Sequence, residues 1–102
     1  MPRPKIARRI CGRPANSCFK PNGVPMHELE QVALAADEFE ALRLVDLEGM
    51  QQQEAARLMG VSRQTLANTL KRARYKVVEC LSLGKALLMQ PDVPQPGGEI
   101  AQ

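Results

Sequence analysis

Residues 51–77, QQQEAARLMGVSRQTLANTLKRARYKV, constrain the fold more than any other stretch of this chain. Ala56 is small where two helices must cross closely. Gly60 stands four residues later, where the chain has to turn and a positive φ is easiest for glycine. Val61 is placed to plug the turn into the core. Ser62 is placed to cap the next helix, accepting a hydrogen bond from a backbone N–H of its first turn. Leu66, Leu70, Ala73 and Val77 then keep an inward three-to-four spacing, while Arg63, Gln64, Ala67, Asn68, Lys71 and Arg72 share the outer side. The pattern predicts a helix over about Gln52 to Met59, a tight turn, and a basic helix from Arg63 whose apolar stripe runs to Leu81 and which stops at Gly84. Thr69 departs from the aliphatic residue usual at such a position. Its methyl can pack, and its hydroxyl can bond a carbonyl one turn back.

A chain of 102 residues is expected to form one domain. It is 44% hydrophobic but has no Trp, one Tyr and two Phe, so its core must be aliphatic. A core of that size is marginal alone and gains from dimerisation. The net charge of +3 conceals three blocks. Residues 1–26 hold six Lys/Arg and no acid, residues 27–54 hold eight acids and Arg43, and residues 57–76 hold six Lys/Arg and no acid. Basic blocks on an arm and on one helix fit phosphate contact, although charge runs also serve simply as solvated surface. No stretch approaches the roughly 18 apolar residues of a membrane span, and the basic N-terminus is not followed by a secretory apolar region. The expectation is a cytoplasmic protein away from membranes.

The remaining elements are less sharply written. Residues 1–26 read as a basic, Pro-rich extended arm, with Ile10 and Phe19 available to pin it to the domain. Glu30 to Leu34 is either a short strand or one helical turn. Asp37 looks like a cap with Glu40 completing a capping box, and a helix over about Glu38 to Leu47 should bury Phe39, Leu42 and Val45 before Gly49 ends it. Gln51 is a poor cap for the helix that follows. Lys85 to Met89, KALLM, reads as a short strand that could pair with Glu30 to Leu34. Residues 90–102, with three Pro and two Gly, are expected to be a disordered tail. The expected fold class is therefore mainly all-α: a helix-turn-helix domain over 27–89 behind an extended arm, with at most a short two-strand pairing.

A rigid helix pair whose second member presents Arg, Gln and Asn outward is the geometry that reads duplex DNA in the major groove. Arg63, Gln64, Ala67 and Asn68 are the expected base-contact set, because Arg pairs bidentately with guanine and Gln or Asn with adenine. Ser62, Lys71, Arg72, Arg74 and Lys76 are the expected phosphate contacts on this helix, with Arg3, Lys5, Arg8 and Arg9 following the backbone or an adjacent groove. The rival reading is a protein-interaction module that docks the acidic and basic helices on the transcription machinery, RNA polymerase for example. RNA binding is disfavoured by the lack of stacking aromatics.

Enzyme activity is not expected, since no nucleophile–base set and no glycine-rich phosphate loop is present. Cys11, Cys18 and His27 are spaced C-x6-C-x8-H without the tight knuckle of structural zinc sites, and Cys80 is distant in sequence. The bland alternative is two small apolar thiols and a surface histidine. A metal-stabilised arm, which would need the arm to fold back on the long helix so that Cys80 supplies a fourth ligand, is the minor alternative; no metal and no cofactor is expected, and three cysteines argue against a disulfide framework.

Two resemblances rest on these residues. GVSRQTLANTLKRA resembles the helix-turn-helix of the fourth region of bacterial sigma factors: Gly60, Val61, Ser62 and Arg63 match its turn, and Leu66, Arg72 and Ala73 its second helix. That match covers about a quarter of the chain, and a complete sigma factor is not expected. Nearly the whole chain is similar to a family of short bacterial and archaeal proteins labelled uncharacterised or predicted DNA-binding. The likeness is carried by MPRPK, FKPNGVPMHELEQVALAADEFEALRLVDLEGM, EAARLMGVSRQTL and GKAL. It implies a helix-turn-helix regulator, here with Ala35 where a Ser/Thr cap is common and Gln51 where Ser is usual. A homodimer joined through residues 77–89 is expected, since Leu81, Leu83, Leu87, Leu88 and Met89 exceed what so small a core can cover.

Overall fold

The computed structural model describes residues 17–90. The expected domain over 27–89 is thus described in full, whereas Arg3, Lys5, Arg8, Arg9, Ile10 and Cys11 of the arm, and the tail from residue 91, lie outside the described residues. The architecture is mainly helical, with a small mixed sheet. Strand β1 (Cys18–Phe19) is followed by a single 3-10 turn at Met26–Glu28, strand β2 (Gln31–Leu34), helix α1 (Ala36–Leu42), a π-helical turn (Arg43–Leu47), helix α2 (Gln52–Met59), helix α3 (Arg63–Leu83) and strand β3 (Ala86–Met89).

The sheet order is β1-β3-β2. β2 and β3 pair in parallel, Val32 opposite Leu87 and Leu34 opposite Met89. The expected partnership of KALLM with residues 30–34 is therefore present. A parallel pair needs a long crossover, and here all three helices supply it. The two-strand expectation is too small by one: β1 joins β3 antiparallel, Cys18 opposite Leu88 and Phe19 opposite Leu87. Two residues carry no period that a sequence pattern could register. The strand therefore draws the end of the supposed arm into the fold, and Met89 N–H donates to the Ser17 carbonyl at 2.9 Å.

α1 differs from expectation in its start and its phase. Its N-cap position is Ala35 rather than Asp37, and the Ala35 side chain offers no cap. Glu38, not Glu40, reaches back, its Oε1 accepting the Ala35 N–H at 2.8 Å. This is half of a capping box. The helix begins immediately after β2, so strand geometry and not a capping side chain sets its first residue. Phe39, Leu42 and Val45 are only half-buried, while Ala41, Leu44 and the acids Glu38 and Glu40 are buried. The switch to a wider π turn at Arg43 shifts the phase of the apolar stripe, which a 3.6-residue period cannot anticipate.

α2 and α3 match the sequence reading within a residue. Gly60 ends α2 at φ 73° and Gly84 ends α3 at φ 70°, both left-handed. Two apolar clusters result. One joins α1, the π turn, α2 and the first half of α3 through Ala41, Leu44, Ala55, Ala56, Met59, Leu66 and Leu70. The other joins the sheet to the second half of α3 through Leu34, Ala73, Cys80 and Leu87.

Candidate nucleic-acid interface

The turn between α2 and α3 is built as its residues dictate. Ala55 and Ala56 are fully buried against α3, where Leu66 and Leu70 are buried in turn. Gly60 in the left-handed region lets Val61 N–H reach the Ala56 carbonyl at 3.0 Å. Val61 packs against the first cluster. Ser62 Oγ accepts the Thr65 N–H at 3.0 Å, so Ser62 caps α3, and its hydroxyl lies 3.0 Å from Thr65 Oγ1. Thr69 is buried, so its methyl takes the place of the usual aliphatic side chain.

Arg63, Gln64, Asn68 and Lys71 are exposed on the outer face of α3, and Ala67 between them is half-buried. Gln64 Nε2 donates to Asn68 Oδ1 at 3.3 Å, one turn along. The two amides therefore form a connected pair that still offers outward donors and acceptors. No acid falls on this helix between Ser62 and Val78.

The charges farther along α3 have a different setting. Arg74 grips Asp46 with two hydrogen bonds, Nη2 to Oδ1 at 2.7 Å and Nε to Oδ2 at 3.1 Å. Lys76 Nζ donates to Glu38 Oε1 at 2.8 Å and to the Ala33 carbonyl at 2.7 Å. Arg72 Nε donates to Glu38 Oε2 at 3.4 Å while its side chain stays 56% exposed. Thus three of the expected phosphate contacts engage acids of α1 and the π turn. Ser62 serves as the cap, and Lys71 faces solvent.

Burial pushes the Glu38 carboxyl up, but the Lys76 hydrogen bond, the Ala35 N–H, the Lys76 charge and the Arg72 hydrogen bond together hold it below its ordinary value. The Arg74 hydrogen bond depresses Asp46, and Asp46 raises Arg74 in return. At the other end of α3, Lys85 bridges Glu79 at 2.7 Å and Glu30 at 3.0 Å, and these acids raise its pKa.

Comparison with known proteins places the chain in a family. The family described as protein of unknown function DUF134 matches residues 1–99. The chain belongs to that family. A UPF0251 protein of Aeromonas salmonicida is 83% identical over 100 residues, covering 98% of each chain. One from Vibrio parahaemolyticus is 65% identical over 88 residues, 86% of this chain and 92% of its own. One from Shewanella sediminis is 51% identical over 89 residues, 87% of this chain and 93% of its own. No solved structure matches.

The sequence reading of this DUF134 chain missed Glu38 as the hub that ties α1 to α3. A signal existed: Arg72 and Lys76 are four apart on a helix and so face one point, where a single acid can meet both. Glu40 was missed as well. It is 2% exposed and holds Arg43 through two hydrogen bonds, at 2.9 and 3.0 Å. Of the thiol and imidazole candidates, Cys11 lies outside the described residues. Cys18 is half-buried in β1, Cys80 is buried in α3, and His27 is exposed, its Nε2 3.7 Å from Glu28. Among the described residues no group of three His, Cys, Asp or Glu is placed to hold a metal, and no helix is long and apolar enough to cross a membrane.

Proposed function

We propose that this protein binds double-stranded DNA with sequence preference and acts in the cytoplasm as a transcriptional regulator. The carrying observation is the capped start of α3. There a serine-capped helix, braced on a left-handed glycine turn, presents Arg63, Gln64, Asn68 and Lys71 free of acids. A helix held this way enters the major groove with its first turns against base edges. Arg63 then reads guanine, the linked Gln64–Asn68 pair reads adenine, and half-buried Ala67 lets the groove floor approach. Lys71 and the helix start at Ser62 meet phosphate. Arg72, Arg74 and Lys76 reach phosphate only by sharing or leaving their carboxylates. Arg3, Lys5, Arg8 and Arg9 add contacts from the arm.

Selection of bound sequences from a random duplex pool is the direct test. Enrichment of a short motif is the expected result, and recovery of an unenriched pool sinks the reading. A second reading, docking on the transcription machinery, is favoured by one observation: the acids of α1 and the π turn and the cations of α3 already neutralise one another beside exposed Leu47 and Leu81. A purified-polymerase pull-down that persists without DNA would select it.

A further inference from the structure

The second apolar cluster is open on one side. An apolar groove of ≈ 940 Å³ runs over it, walled by Phe19 and Lys20 at β1, by Asp46 and Leu47 of the π turn, and by Val77 and Leu81 of α3. The same face carries protruding side chains: Leu81 is 80% exposed, Leu47 77% and Phe19 52%. We infer that a second copy of this chain docks here, the protruding leucines of each copy entering the groove of the other about a two-fold axis.

Three features favour a second copy over another occupant. An isologous contact needs one patch that is complementary to itself, and knob and hollow lie side by side on this face. Fifteen residues line the groove, and Val78 and Leu83 extend α3 beyond it, both exposed. Among the described residues the rim holds no row of acids or of cations that would select nucleic acid or an anionic surface: Asp46 lies 2.7 Å from Arg74, and Lys85 lies 2.7 Å from Glu79. Lys20 on the β1 wall has no acid partner among the described residues, its Nζ donating to the Val24 carbonyl at 2.6 Å, and a two-fold contact that exchanges walls would set it beside the Asp46–Arg74 pair of the other copy.

The test is the mass of the full-length protein in solution without DNA, by sedimentation equilibrium at micromolar concentration. Twice the chain mass of 11.3 kDa is expected. The double variant Leu47→Asp/Leu81→Asp should sediment as monomer with its helical circular dichroism kept, because both side chains are exposed in a single chain. Leu58→Asp, on α2 and outside the groove, should remain dimeric. A second measurement, amide exchange of the unaltered protein, should show residues 78–83 more protected at high than at low concentration. A monomer at every concentration overturns the inference, including one whose groove is protected by the chain's own terminal segments. So does a dimer that survives the double variant. Failure to find a DNA site leaves these masses unaffected, and a monomer that still selects a motif leaves the DNA reading standing.

Discussion

Glu38 shows how one side chain can settle the placement of a long helix. It is 3% exposed, closes the start of α1 on Ala35, and receives Arg72 and Lys76 from α3. Removing its charge strands two cations against a neutral group, so Glu38→Gln should cost about 1–3 kcal/mol of stability, read by urea unfolding. The depressed pKa values of Glu38 and Asp46 give the sign of the acid response. Each contributes stability that is present above its unfolded value, roughly pH 4, and lost as pH falls through the lower folded value. Melting temperature should therefore drop below about pH 4.5, and Glu38→Gln should flatten that drop; an identical slope in the variant would show that Glu38 contributes nothing to it. On the proposed DNA face, Arg63→Ala should cost about 1–3 kcal/mol at one base position in a binding titration. Equal losses on selected and random duplexes would demote Arg63 to a phosphate contact.

At the scale of elements, α3 divides into two halves of different character. Its first half offers Arg63 and Lys71 to solvent, and its second half has Arg74 and Lys76 held by acids across the packing interface. Salt dependence separates the two. Lys71→Ala should lower the log–log salt slope of DNA binding by about 0.9, whereas Arg74→Ala should change it by clearly less. Matching changes would mean that Arg74 leaves Asp46 on binding. Deleting residues 1–9 removes Arg3, Lys5, Arg8 and Arg9, and should lower the slope by up to about four units; an unaltered slope would place the arm off the duplex. The cap at Ser62 is a purely local device. Ser62→Ala should destabilise the fold by about 0.5–2 kcal/mol, measured by thermal unfolding.

For the whole molecule, the sheet closes the two ends of the described chain on each other and leaves the groove between β1, the π turn and α3. Phe19, half in solvent, is one of its apolar walls, and in the proposed dimer a second copy would complete the second cluster. In that proposed dimer, association and stability would be linked by mass action. Dilution through the dimer dissociation range should lower both the melting temperature and the affinity for a two-fold site, and a concentration-independent melting temperature would separate them.

α2, the glycine turn, the Ser62 cap and the full length of α3 were legible in the residues because each is set locally. Three-to-four spacing, a left-handed glycine at each helix end and a serine hydroxyl act within a few positions of the chain. The pairing of residues 86–89 with 31–34 was legible as two short apolar runs flanking the helices. Only the tertiary structure decided the rest. β1 exists because β3 has a free edge to pair with. The phase of α1 follows from its docking on α3 and from the π turn. The pairing of Arg72, Arg74 and Lys76 depends on acids 28 to 38 residues away in sequence. Charge pairing and edge pairing across such separations have no period, so the one-dimensional pattern carries the helices but not the partners that position them.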